Sequence, residues 1–433
     1  MRSFLRRGFP MRLAGSVSCL LALLPALGCE ELPEPGQRLD PGADARPVSV
    51  VDSGGVSVAG IPNLHALDLP ELSLTLLHST ADDLDLVEVV GAVLLPDASL
   101  VIADKAAPNL SFLRPDGSLR AQAGREGEGP GEYTEISRIG LTSDGSLFVY
   151  DRALRRFTFL DREGGVIGVQ RSRCTVATGE VVPLADVNAQ AFLGVLETRP
   201  DLPPGVQRGP LFLVACAGRE GSLETLGEWA GKERYVASNQ WNAVGFGRTA
   251  LYDGRGDHTV VGTNDSLDVT LYEGTTVRTR IRGGSSMRRV TPGEREEWTN
   301  LYLDMFPEIV RADRRRRLAQ SDIRDTYPAF GSIKVDASGR IWIGEYAKLS
   351  AEQRLWTMLR PDGTPVGSIR LPVFRPDWLQ IREGSITGRA LVEWEVTIPS
   401  PVHELLDIAD DRIVVLRKDE LGREFIEVYE VGP

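Results

Sequence analysis

Residues 93–118 read VLLPDASLVIADKAAPNLSFLRPDGS, and this stretch decides the fold. Val93-Leu94-Leu95 is a short apolar strand. Pro96-Asp97-Ala98-Ser99 turns the chain, and Leu100 to Asp104 is the next strand. After Ala107-Pro108-Asn109, Leu110 to Leu113 alternates, and Arg114-Pro115-Asp116-Gly117 turns again. The whole unit runs from Val89 to Leu119 as four short strands joined by Asp- and Gly-containing turns, where those residues tolerate positive φ. Such a small antiparallel sheet has two apolar faces and cannot bury both alone. Stacking several copies around an axis buries them and leaves only short edges.

The pattern returns. Residues 139–164 read IGLTSDGSLFVYDRALRRFTFLDREG, residues 333–363 repeat it around Asp336-Ala337-Ser338-Gly339 and Arg360-Pro361-Asp362-Gly363, and residues 405–429 give a last copy. Between them, 170–230 and 242–280 hold degenerate strands such as Ala191 to Leu196, Leu211 to Ala215 and His258 to Thr263. Counting these predicts an all-β, six-bladed propeller, or seven blades if 170–230 hides two. The strand Leu72 to His78 stands outside the first clear unit and is expected to pair with the last blade, latching the ring. One segment, about 291–325, breaks the β pattern. Thr291-Pro292-Gly293-Glu294 reads as a capping box with proline at the first helical position. Trp298, Leu301, Tyr302 and Met305 follow at helical spacing, and Pro307 separates a second helix. We expect a helical insertion between the fourth and fifth blades, covering one face of the ring or its mouth.

The beginning of the chain is different. Arg2, Arg6, Arg7 and Arg12 precede an apolar run from about Val17 to Leu27, too short for an ordinary membrane span. This reads as a signal peptide over 1–28, with Met11 an alternative start. The run ends in Ala26-Leu27-Gly28-Cys29, which resembles the bacterial lipobox and makes Cys29 the expected site of lipidation. A plain signal peptide cut near Gly28 is the alternative. Residues 29–46 are rich in Pro, Gly and Asp and read as a flexible tether, leaving 47–433 for the propeller. The expected location is the cell envelope, with the membrane as a partner through the lipid. Glu30 after the cysteine favours the outer membrane over the inner.

The glycine-rich stretch Gly124 to Tyr133 (GREGEGPGEY) follows the first clear unit. Together with the Asp-Gly turns it resembles the inter-blade connection of bacterial six-bladed β-propeller proteins related to the NHL-repeat family. The resemblance covers roughly 85–165 and 325–431. It implies a propeller that is in many relatives a lipoprotein, and most members of the group have no assigned activity. The stretch is not a phosphate cradle. It lacks Gly-Lys-Ser/Thr and a β-α-β context, and Glu126, Glu128 and Glu132 would repel phosphate.

No motif calls for a cofactor. The formal charge of −12 argues against a general nucleic-acid partner. The four histidines, His65, His78, His258 and His403, are not at metal-ligand spacing. Asp104, Asp151 and Glu345 recur near the ends of equivalent strands, where they either cap turns or line the channel. Cys174 and Cys216 are the cysteines past the lipobox and read as a disulfide or as two buried thiols. Arg314, Arg315, Arg316 and Arg317 form one basic patch in an acidic protein, a candidate interaction surface or a solvated helix face. Three functions follow. The first is a non-catalytic module binding an envelope protein, peptide or glycan. The alternative is a metal-assisted propeller enzyme, lactonase- or lyase-like, with ligands converging at the channel. The third is a structural lipoprotein component of a larger envelope assembly.

Overall fold

The computed structural model describes residues 48–433 except 374–404 and short stretches at 81–83, 143, 177–178, 186, 189–190, 199–202, 218–220, 238–239, 285–287, 305, 307, 320–322, 349 and 420–422. Cys29, Met305, Pro307 and His403 therefore lie outside the described residues.

Six antiparallel blades form the ring. Their sheets span residues 89–123, 136–171, 175–243, 250–283, 332–372 and 405–432, numbered here as blades 1 to 6. Residues 175–243 make one sheet of six strands, with long strands at Gly205–Ala217 and Ser222–Ala237, so the region hides no seventh blade. The strand Ser73–Ser79 pairs antiparallel with Glu424–Gly432 and completes blade 6, the latch expected from its position. A hairpin of Ser49–Ser53 and Val56–Gly60 adds in parallel to Thr276–Gly283, the outer strand of blade 4. Nothing in the repeats announces this hairpin.

Period-2 alternation explains the stacking. In the strand Leu100–Asp104 of blade 1 every residue is buried. Leu100 and Ile102 pack with Val414, Leu416 and Ile426 of blade 6, whereas Val101 and Ala103 pack with Leu147 and Val149 of blade 2. Blade 2 repeats the device, its Phe148 and Tyr150 meeting Val181 and Phe192 of blade 3. Blade 5 repeats it again, with Ile341 and Ile343 toward blade 4 and Trp342 toward blade 6. A sheet covered on both faces carries near-continuous apolar runs, which is why these strands read as unbroken in sequence.

The turns are held by their aspartates. The Oδ1 atoms of Asp97, Asp116, Asp144, Asp336 and Asp362 each accept a hydrogen bond from the backbone N–H two residues on, at 2.9–3.1 Å. Gly363 is required twice over. Its φ is +87°, and a Cβ there would stand 2.5 Å from that of Ala59 in the added hairpin. The glycine-rich connection is structural as well. Arg156 of blade 2 donates to the carbonyls of Glu128, Gly129 and Glu132, and the Glu132 carboxylate accepts from Gly129 N (2.8 Å).

The insertion lies between blades 4 and 5 and comprises α1 (Pro292–Asp304) and α2 (Glu308–Leu318). The capping box forms in both directions. Thr291 N donates to Glu294 Oε2 at 2.9 Å, and Glu294 N donates to Thr291 Oγ1 at 3.3 Å. Trp298, Tyr302, Leu303, Phe306 and Leu318 bury themselves with Phe246, Val290 and Tyr327. Trp298 and Tyr302, one turn apart, stack at 5.3 Å.

Candidate functional site: the channel and its mouth

In blades 1, 2, 4, 5 and 6 the first strand lines the axis, and in blade 3 the strand Gly179–Ala185 does. In blades 2, 4, 5 and 6 these strands place charges in the channel: Arg138, Asp253, Arg255, Lys334 and Asp407. They join blades far apart in sequence. Arg255 pairs with Asp407, and its Nη2 donates to Leu94 O of blade 1 at 3.1 Å. Asp407 Oδ2 also accepts from Leu94 N at 2.7 Å. Lys334 Nζ stands 3.5 Å from Asp253 Oδ1, whose other oxygen accepts from Val335 N at 3.1 Å. Arg138 lies 3.9 Å from Asp253 and donates to Leu184 O and Gly254 O of blades 3 and 4.

Only about a tenth of the Arg255 and Asp407 side chains is exposed (10% and 9%). Burial pushes the Arg255 pKa down to about 10, against the opposing fields of Asp253, Asp336 and Asp410. The guanidinium is still charged at neutral pH. Burial lowers Arg138 too, with Asp253 opposing. Removing two charges from water is costly, and mutual attraction offsets that cost only where geometry and hydrogen bonds are complete. Each carboxylate here also takes a backbone N–H. These cross-blade pairs are spokes that hold the inner strands in register.

Above the spokes the channel opens into a cavity of ≈ 550 Å³. Turns of five blades build its wall: Leu94-Leu95-Pro96 with Ala98, Leu141-Thr142 with Gly145, Arg255 to Asp257, Ala337, and Ala409 to Arg412. Leu94, Leu95, Pro96, Leu141, Ala337 and Ala409 give it apolar lining, and Arg255, Asp257, Asp410, Asp411 and Arg412 give it charge. Two of these turns hold a residue other than glycine in the left-handed region, Ala98 (φ 65°) and Asp410 (φ 53°). The corresponding positions in blades 2, 4 and 5 are Gly145, Gly256 and Gly339.

The residues singled out in the sequence go elsewhere. Asp104 and Asp151 are buried caps. Asp104 accepts from Val87 N and Ala106 N at 2.8 Å each, and Asp151 from Thr134 N (2.6 Å), Glu135 N (3.1 Å) and Leu154 N (2.8 Å). Glu345 is partly buried outside the channel wall. His65 Nε2 lies 2.8 Å from Ala329 O, His78 is in the latch strand, and His258 is 3.0 Å from Asp257. Among the described residues no three His, Cys, Asp or Glu side chains gather as a metal ligand set. The channel charges fit a metal poorly, because three cations surround two carboxylates that are already engaged. Cys174, just before blade 3, is bonded to Cys216 in its strand Gly205–Ala217, with Cα atoms 6.1 Å apart. Closing a loop of 42 residues restricts the unfolded chain by about 4 kcal/mol. Arg314 to Arg317 lie on α2. Arg314 covers the Phe306 ring at 4.5 Å, while Arg316 and Arg317 pair with Asp313.

Sequence reading missed the five channel charges. In blades 5 and 6 the signal was a lone charge inside an apolar first strand, Ile333-Lys334-Val335 and Leu406-Asp407-Ile408.

No family model and no curated protein matches this chain. Solved structures do. One from Bacteroides fragilis is 14% identical, covers 87% of this chain and 100% of its own, and has a TM-score of 0.44. A DUF4221-family protein from Bacteroides vulgatus is 8% identical, with coverages of 84% and 99% and a TM-score of 0.42. Regucalcin from Agrobacterium tumefaciens, a calcium-binding protein, is 10% identical, with coverages of 84% and 96% and a TM-score of 0.37.

Proposed function

We propose that this is an envelope-anchored lipoprotein whose propeller is a non-catalytic module, binding a protein, peptide or glycan at the channel mouth. The observation that carries the reading is the ≈ 550 Å³ cavity assembled by turns of five blades. Ligand cavities commonly have about this volume, and the charged groups in its lining offer polar contacts to a peptide or glycan. The charges below it are engaged in spokes between blades, which suits a rigid floor. The Cys29 lipobox supports the anchoring, and a disulfide between Cys174 and Cys216 suits an oxidising compartment.

The test is crosslinking in the producing cell. A photoreactive residue at Ala337, exposed at the mouth, is compared with one at Ile167, exposed on the outer strand of blade 2. A discrete adduct from Ala337 alone supports the mouth as the site. Equal adducts at both positions, or none at Ala337, overturn it. Cys29→Ser tests the anchor: the protein should leave the membrane fraction.

A further inference from the structure

The face of the ring opposite the mouth has its own chemistry. First strands end at the mouth, so they start on the other face, and outer strands end there. Gly283, at the end of the outer strand of blade 4, therefore leads into α1 and α2 on that face. The insertion packs on Phe246, ahead of the first strand of blade 4, and on Tyr346, just past the second strand of blade 5. The N-terminal hairpin comes to the same place. Ser49 pairs with Gly60, which pairs with Arg282, so the chain toward Cys29 leaves from this face.

Here the charge of the protein reverses. Between Arg282 and Arg317 the chain carries nine arginines against six acidic residues, in a chain whose net charge is −12. Leu318 holds α2 to the body. On its far side Ile309, Ala312 and Arg316 follow at helical spacing. Ile309 is 91% exposed, Ala312, Arg315 and Arg316 are exposed, and Val310 is 38% exposed. An apolar side chain standing in water beside exposed arginines, with the opposite helix face anchored, is one feature shared with helices that lie in a lipid interface.

We propose that this face, led by α2, docks on an anionic phospholipid surface, with Ile309 entering the headgroup boundary and Arg315 and Arg316 meeting lipid phosphates. Two features commit the surface to lipid rather than to an acidic protein. The exposed isoleucine accompanies the charge, and the chain leaves toward its proposed anchor from this face. Docking would hold the acidic body away from the membrane and turn the mouth outward. The inference deepens the envelope reading, and its charge argument stands without lipidation.

The experiment uses the chain from Glu30 onward, without signal or lipid; every strand that closes the ring lies within 49–432. It is floated with vesicles of phosphatidylcholine alone or with about 30% phosphatidylglycerol, enough to attract basic side chains at roughly 1 kcal/mol each. Wild type should float with the anionic vesicles only. Replacing two exposed cations (Arg315→Gln with Arg316→Gln) should weaken that binding about 30-fold. Ile309→Asp should weaken it as well. Equal flotation with both vesicles, or arginine variants that bind like wild type, overturns the proposal. So does capture by an immobilised acidic peptide without vesicle binding. Because this chain carries no lipid, failure here leaves the Cys29 anchor and the mouth untouched.

Discussion

The walls between blades and the channel they enclose are built on opposite principles. A wall is apolar, local in sequence and made twice per strand by alternation, as Leu100 and Val101 show by facing blades 6 and 2. The channel is charged, and its partners come from distant segments: Arg255 with Asp407, Asp253 with Lys334. This ring owes its stability to the walls and its register to the spokes. Hydrophobic burial is non-directional. A buried ion pair contributes little net energy, yet costs heavily when half of it is removed.

The largest expected effect tests the walls. Phe112 is 1% exposed between blades 1 and 2, against the turn at Gly164. Phe112→Ala should cost about 4 kcal/mol, from lost transfer energy and the cavity left behind. Urea unfolding measures it. A cost below about 1 kcal/mol would mean that the wall collapses freely and that close packing between blades is unimportant.

The channel should answer differently. Asp407→Ala leaves Arg255 buried without its carboxylate and Leu94 N without an acceptor, a loss of about 3 kcal/mol. Converting both partners (Arg255→Met with Asp407→Leu) should recover most of that loss. If the double variant is as unstable as the single, the pair is itself a large stabilising term and the contrast with the walls fails.

What could be read in the sequence follows the same divide. The blades were legible because wall strands are unbroken apolar runs closed by turns such as Arg114-Pro115-Asp116-Gly117. The latch was legible from a strand left over at 72–78. The insertion was legible because Thr291 and Glu294 announce a helix start. The channel was not, because nothing local marks Lys334 or Asp253 as partners, and the carboxylates that did recur, Asp104 and Asp151, turned out to be caps. The hairpin at 49–60 escaped for a related reason. It is an addition to blade 4, outside the repeat, and its parallel pairing has no local signature.

A smaller effect concerns the rim, where walls and channel meet. Blade 1 holds Ala98 at φ 65° where blade 2 holds Gly145 at φ 80°. A left-handed backbone is disfavoured for a residue with a Cβ. Ala98→Gly should stabilise the protein by up to about 1 kcal/mol, and Gly145→Ala should cost about as much. Thermal melting of the two variants checks this. If Ala98→Gly has no effect on stability but lowers crosslinking from Ala337, the strained turn serves the mouth rather than the fold.

The smallest effect is at the latch, and its sign can be worked out. His78 in the closing strand packs against Gly117 of blade 1, and its buried Nδ1 has no hydrogen-bond partner among the described residues. Burial lowers its pKa below the usual 6.5; Asp116 opposes the shift and Arg412 adds to it. The folded ring therefore prefers the neutral imidazole, and the unfolded chain binds the proton more readily. This contribution is complete above pH 6.5 and is lost progressively as pH falls from 6.5 through the lowered folded value. Wild type should lose more thermal stability than His78→Gln between about pH 7.5 and 5.5. Equal losses would place the acid sensitivity elsewhere, and the latch would then behave as one more apolar wall.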